Sequence, residues 1–238
     1  MLNLHMRTIL NYSPNFDSKK RKLKNIKFII FHYTGMKNEN DAIKKLTSEK
    51  SKVSSHYFIK NNGEILSLVP DVYISWHSGV SSWNKYNFIN KYSIGIEISN
   101  KGHDFKYKNF NKKQINSVIK LSKFLIKKYK IRSNFILGHS DISPDRKKDP
   151  GEKFPWHYLY KKNIGIWHNL NQEYISKKRN IKLNKKDEIT FIENLFKIGY
   201  PKNNNISKKK YTKLITKAFQ RRFRQELING IIDLECLL

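Results

Sequence analysis

IKFIIFHYT, residues 26–34, is a dense apolar run that ends on His32 and Thr34. Its length and its content of Ile and Phe predict a buried β-strand closing at those two polar residues. Just beyond it, Asn40 can cap a short helix running through Ala42, Ile43 and Leu46. SHYFIKNNGEILSLV (55–69) is two β-rich runs joined at Asn62-Gly63, a strong hairpin turn. SIGIEIS (93–99) alternates apolar and polar residues with the period of a strand. Over 111–130, Asn111 with Gln114 three later forms a capping box. Ile115, Val118, Ile119, Ser122, Leu125, Ile126 and Tyr129 then follow the stripe of an amphipathic helix, with Lys112, 113, 120, 123, 127 and 128 as its solvated face. A strand at 134–137 follows, then a long loop from Gly138 to Pro155. Strands alternating with helices predict an α/β fold, a sheet covered by helices.

From 169 to 186 (NLNQEYISKKRNIKLNKK) the chain turns polar and lysine-rich, as a linker does. Two short amphipathic segments, 189–200 and 211–223, and a final apolar stretch, GIIDLECLL, suit a small helical bundle near the lower size limit for independent stability. The division expected is therefore 1–168, a polar linker at 169–186 across which few contacts pass, and 187–238.

Composition removes several function classes. A single cysteine, Cys236, excludes a disulfide framework and any cysteine-rich zinc finger. There is no run of about eighteen apolar residues to span a membrane. MLNLHMRTILNYSPNF has no apolar core before Asn11 and Pro14, so a standard secretory signal is not expected, which favours the cytoplasm. The net charge is +29, but 40 of the 48 basic residues are lysines spread along the whole chain. With few arginines and no nucleic-acid-binding motif, specific nucleic-acid recognition is not expected. Salt-dependent attraction to polyanions, anionic wall polymers included, is.

Three of the eight histidines sit where chemistry would use them: His32 at a strand end, His77 after Trp76, and His139 after Gly138. Neutral histidines and a carboxylate are the usual ligands of a catalytic zinc that keeps a position open for water. His32, His139 and Asp149 can supply such a set, although no HExxH pair is present. Structural duties compete for the same residues: a strand-end histidine, a solvated carboxylate at Glu97, an Asp-Pro turn at Asp149.

The wording of the segments adds to this. FHYTG (31–35), VSSHYFI (53–59), NGEI (62–65), WHSGVS (76–81), SIGIEI (93–98) and GHSDISPDRKKDPGEKFPW (138–156) occur in this order. Together they resemble the zinc-dependent N-acetylmuramoyl-L-alanine amidases, relatives of the peptidoglycan-recognition proteins, over residues 20–165. The resemblance implies a mixed central sheet flanked by helices and one Zn²⁺ per chain held by His32, His139 and Asp149. It implies Glu97 as catalytic carboxylate and Lys147 as cationic helper, chosen over Arg146 and Lys148 only by motif register. Glu97 would stand on a strand whose Ile94, Ile96 and Ile98 face the other way. His56, Trp76 and His77 match positions around the substrate groove, with core packing the equal alternative. Trp156 and Tyr33 read as packing, and His5, His103, His157 and His168 receive no role.

A second resemblance covers IGY (198–200), AFQRRF (218–223) and NGIID (229–233), which are similar to the small helical peptidoglycan-binding module of wall hydrolases. Phe219 and Phe223 would share a face in its core, leaving Arg221, Arg222 and Arg224 exposed. The implied activity is hydrolysis of the amide between the lactyl group of N-acetylmuramic acid and L-alanine of the stem peptide. The alternative is a non-catalytic muropeptide-binding protein of the same fold. The partners implied are peptidoglycan or soluble muropeptides. A wall-binding module suits the periplasm or cell envelope, the alternative to the cytoplasm.

Overall fold

A computed structural model describes residues 6–238; the opening five, with His5, lie outside the described residues. Six strands form one mixed sheet: β1 (Ile9–Leu10), β2 (Phe28–Tyr33), β3 (Tyr57–Ile59), β4 (Ile65–Ser67), β5 (Ser93–Ile98) and β6 (Ile136–Gly138). Their order is β1-β4-β3-β5-β2-β6, antiparallel only between β3 and β4, the predicted hairpin.

Alternation along the strands assigns the two faces. Ile29 and Phe31 of β2, with Ile94, Ile96 and Ile98 of β5, pack beneath α2 (Lys112–Tyr129), whose Ile115, Val118 and Leu125 are buried. The Asn111–Gln114 capping box forms, and all six lysines of the helix are exposed. On the opposite face, α1 (Glu39–Thr47) lays Ala42 and Leu46 on Phe58 and Leu66. Its cap is Asn38, whose side chain accepts from the Asn40 amide, so the helix starts earlier than the sequence suggested. The predicted strand at 134–137 is shifted too: a 3-10 turn occupies Ser133–Phe135 and the strand begins at Ile136. The loop after it opens with a one-turn helix, α3 (His139–Ile142). Trp156 is buried against Phe31 and Phe154, as expected.

The carboxyl-terminal region departs most from expectation. The stretch 169–186 contains a short helix, α4 (Gln172–Ser176), buries Ile175, pairs Arg179 with Glu235 and bridges Lys182 to Asp233. Helices α5 (Lys185–Ile198) and α6 (Lys208–Phe223) then pack on the sheet itself. Phe191, Leu195, Ile215 and Ala218 share one core with Phe28, Ile30, Leu137 and Ile142. The expectation of few contacts across the polar stretch therefore fails. Phe219 and Phe223 do meet, with ring centres 5.1 Å apart and the rings tilted. Arg222 and Arg224 are buried rather than exposed, and Arg221 is partly covered, because acidic partners wait inside: Asp141 for Arg222, Asp233 for Arg224. Among the described residues no helix is long and apolar enough to cross a membrane.

Candidate active site

Strands β2 and β5 run parallel with His32 directly opposite Glu97, both on the face away from α2. Strand β6, on the other side of β2, delivers His139 at the first position of α3. The loop carrying Asp149 folds back against this junction. A side chain at Gly138 would place its Cβ 2.6 Å from the Pro150 ring, so only glycine permits the approach. Three elements thus converge on one point.

His32 Nδ1, His139 Nδ1 and Asp149 Oδ2 face one another at 2.9–3.1 Å, and all three residues are buried. Hydrogen-bond partners fix the ring states. His139 Nε2 lies 3.0 Å from the Ser78 carbonyl, which can only accept, so Nε2 carries the proton and Nδ1 a lone pair. The Ser93 hydroxyl donates to the Ile89 carbonyl and hence accepts from His77 Nε2. That leaves His77 Nδ1 to accept from His32 Nε2, at 2.9 Å, and turns the His32 Nδ1 lone pair inward. Two neutral imidazoles and a carboxylate therefore point three acceptors at one another. A divalent cation resolves this arrangement, and such backing of each ring nitrogen is how ligating histidines are oriented. The donor set fits zinc.

Electrostatics agree. Burial, then the neighbouring His139, pulls His32 down to about 4, keeping it neutral at physiological pH. Burial alone would push the Asp149 carboxyl up, but His139 and His32 outweigh it and hold it well below the usual carboxylate range. Burial, and then the Asp149 charge, pushes Glu97 well above the ordinary value, opposed by Lys147 and Lys45. Glu97 Oε2 is buried without a protein partner, and its Ile neighbours do face the other way.

A cleft of about 440 Å³ opens over these groups, bordered by Thr34, Lys45, Trp76 and Lys147. Arg146, the rival of Lys147, is occupied: its guanidinium donates to the carbonyls of Ser78 and Val80 and to Ser143 Oγ. Lys148 also borders the cleft but is more exposed than Lys147.

The three residues expected around the groove separate. Trp76 borders the cleft, its indole N–H held by Asp17 at 2.7 Å. His77 borders it too, with its ring turned to His32 as that residue's hydrogen-bond support. His56 is fully buried, its Nδ1 accepting from the Gly95 amide and its Nε2 beside Arg21 and the Tyr73 carbonyl, out of reach of any ligand in the cleft. Room for the His77 ring exists only because position 95 is glycine: a Cβ there would sit 2.4 Å from the ring. Gly95 inside the apolar SIGIEI strand was the sequence signal for this support. Ser93, the Ser78 carbonyl and Asp141 had no such signal. Tyr33 and His103, given no chemistry, bond to each other at 2.8 Å beside the cleft, and His103 continues to Glu152.

Residues 22–152 match the family described as N-acetylmuramoyl-L-alanine amidase. The chain is 33% identical over 222 residues to the N-acetylmuramoyl-L-alanine amidase AmiD of Escherichia coli, covering 88% of this chain and 79% of that one. A structure of that enzyme with anhydro-N-acetylmuramic acid-L-Ala-D-γ-Glu-L-Lys superposes with a TM-score of 0.78, covering 93% of this chain and 88% of the other, at 30% identity. AmpDh3 of Pseudomonas aeruginosa in complex with anhydromuramic pentapeptide gives 0.77 at 28% identity, covering 99% and 95%. The 1,6-anhydro-N-acetylmuramyl-L-alanine amidase AmpD of Citrobacter freundii is 39% identical over 106 residues, 44% of this chain and 54% of that one.

Proposed function

The chain belongs to the N-acetylmuramoyl-L-alanine amidase family, and from that membership we propose a zinc-dependent mechanism with His32, His139 and Asp149 as ligands, Glu97 as general base and Lys147 as oxyanion partner. The reaction is hydrolysis of the amide between the lactyl group of N-acetylmuramic acid and L-alanine of the stem peptide. The observation that carries the zinc assignment is the trio of facing acceptors with both histidine protons committed elsewhere.

Zinc, when bound, lowers the pKa of its water toward ~7 and polarises a carbonyl. Glu97, its Oε2 free of protein partners, takes a proton from the attacking water and returns it to the L-alanine nitrogen as the C–N bond breaks. Its raised proton affinity suits it to hold that proton between the two steps. The Lys147 ammonium, on the cleft wall, meets the charge that develops on the carbonyl oxygen. Trp76 offers an aromatic face for sugar or peptide.

We assign catalysis to 1–168, a joining role to 169–186, and contact with the wall polymer to 187–238. The short match to AmpD, beside the nearly full-length matches to AmiD and AmpDh3, supports treating the carboxyl-terminal helices as an addition to a catalytic unit.

The test is direct. Purified chain holds about one zinc, and mass spectrometry of soluble muropeptide after incubation finds the free sugar and a peptide beginning with L-alanine. Chelation stops the reaction and zinc restores it. Full activity in metal-free protein refutes the zinc assignment, and binding without cleavage would establish the non-catalytic alternative.

A further inference from the structure

We propose that the carboxyl-terminal helices position the metal-binding helix: Arg222 and Tyr200, acting through Asp141, hold His139 in place. The inference rests on the zinc reading above. Helix α3 is four residues long, too short to persist unaided. Its third residue, Asp141, is 1% exposed and accepts three hydrogen bonds. One is the Gly138 amide at 2.8 Å, from the start of the same turn. The other two come from the carboxyl-terminal region: Tyr200 Oη, just past the end of α5, on Oδ1 at 2.9 Å and Arg222 Nη1, in α6, on Oδ2 at 2.8 Å. Apart from its own turn, among the described residues Asp141 is held by side chains some sixty and eighty positions further along.

Arg222 is itself fixed. Its Nη2 donates to the Ile136 carbonyl on β6, and its guanidinium lies 4.1 Å from the Trp156 ring centre. One side chain therefore clamps the chain on both sides of His139, at Ile136 before it and Asp141 after it. Tyr200 is braced by Trp83, ring centres 4.9 Å apart. On the far side, the Ser78 carbonyl that holds His139 Nε2 also accepts from Arg146. His139 is thus gripped from the sheet, from its own helix and from the loop.

Attachment alone does not call for this arrangement. Phe191, Leu195 and Ile215 already fasten the helices to the sheet through apolar contact. A buried ion pair adds little stability over apolar packing of the same volume, but its directional hydrogen bonds set how the two partners sit. Here the partner they seat is the turn that carries His139.

Zinc affinity of the full chain, measured by competition with a chromophoric chelator, tests this alongside turnover of a soluble muropeptide. Tyr200→Phe, which deletes one hydroxyl and keeps the ring on Trp83, and Arg222→Met weaken zinc binding roughly ten- to a hundredfold. Both lower kcat and leave KM in place. Phe191→Leu, in the same core but outside the hydrogen bonds to Asp141, lowers the melting temperature without changing zinc affinity. Wild-type zinc affinity in folded Tyr200→Phe overturns the inference, as does an equal loss in Phe191→Leu. If Arg222→Met does not fold, Tyr200→Phe decides. A wild-type chain that takes up no zinc defeats the reading beneath and this inference with it; zinc uptake equal in wild type and variants defeats this inference alone.

Discussion

Ending the chain after Lys186 removes α5 and α6 and uncovers one edge of a sheet face. Phe28, Ile30, Trp83, Leu137 and Ile142, each no more than 2% exposed, lose Phe191, Leu195, Ile215 and Ala218 from above them. Exposing a fully buried side chain of this size costs ~1.5–3 kcal/mol. Five of them give about 8–15 kcal/mol, an upper figure because neighbouring strands still cover part of each. Asp141 also loses Arg222 and Tyr200, two of the three groups that hold the start of α3. The stability of a whole domain is only about 5–15 kcal/mol. Residues 1–186 alone should therefore be insoluble, or soluble without a cooperative melt and strongly dye-binding. The polar composition of 169–186, taken by itself, points to the opposite result. Soluble yield, size-exclusion profile and thermal melting of the truncated chain measure the outcome. A monodisperse product that melts cooperatively within a few degrees of the full chain would refute the shared-core argument.

Other perturbations separate the roles within the cleft. Glu97→Gln keeps zinc, because position 97 is not among the converging donors, and loses roughly 10²–10⁴-fold in kcat as the amide cannot take the proton; near wild-type turnover with zinc bound would assign the base elsewhere. Lys147→Ala lowers kcat more than it raises KM, whereas Arg146→Ala, which frees the Ser78–Val80 loop, lowers the melting temperature as well; steady-state kinetics and melting curves distinguish them. Acid destabilises the fold through His56, which burial and then Arg21 depress to about 3. The unfolded chain binds that proton below about pH 6.5 while the folded chain refuses it, so stability falls as pH drops from 6.5 toward 3, by about 2 kcal/mol at pH 5 from this group. Denaturant titrations of wild type and His56→Gln at pH 7 and 5 measure the difference, and identical pH slopes would discount it.

What was legible in the sequence was what local pattern controls. The IKFIIFHYT run, the SIGIEI alternation, the Asn62-Gly63 turn and the Asn111–Gln114 box each fix an element through residues a few positions apart. The alternation also set the side on which Glu97 stands. The supporting residues were not legible, because distant partners determine them. His56 reads as a groove residue in its own segment yet is buried away from the cleft, and nothing near His77 in sequence shows that the space above Gly95 lets its ring support His32. Arg222 reads as a surface cation until Asp141, 81 positions earlier, is found beneath it. The stretch 169–186 reads as a linker because its lysines face water, and its one buried isoleucine and its arginine pairing to Glu235 are too sparse to show as a pattern.

The position of the site follows from the way the sheet is covered. On the face opposite α2, helix α1 shields Phe58 and Leu66 toward one edge, and α5 and α6 shield Phe28 and Ile30 toward the other. Neither cover closes over the carboxyl ends of β2 and β5, where the alternation that buries Phe28 and Ile30 next presents His32, and where Glu97 lies beside it. Parallel strands commonly bind ligands beyond their carboxyl ends, where the connecting loops converge. Here those loops bring His139 and Asp149 to the same gap. One strand face thus supplies core at its start and donor atoms at its end. The depth that suits the core also keeps His32 neutral at physiological pH. Filling the gap with a larger side chain at Thr34 would block the cleft and leave the core beneath untouched, so the same face would fold and not turn over.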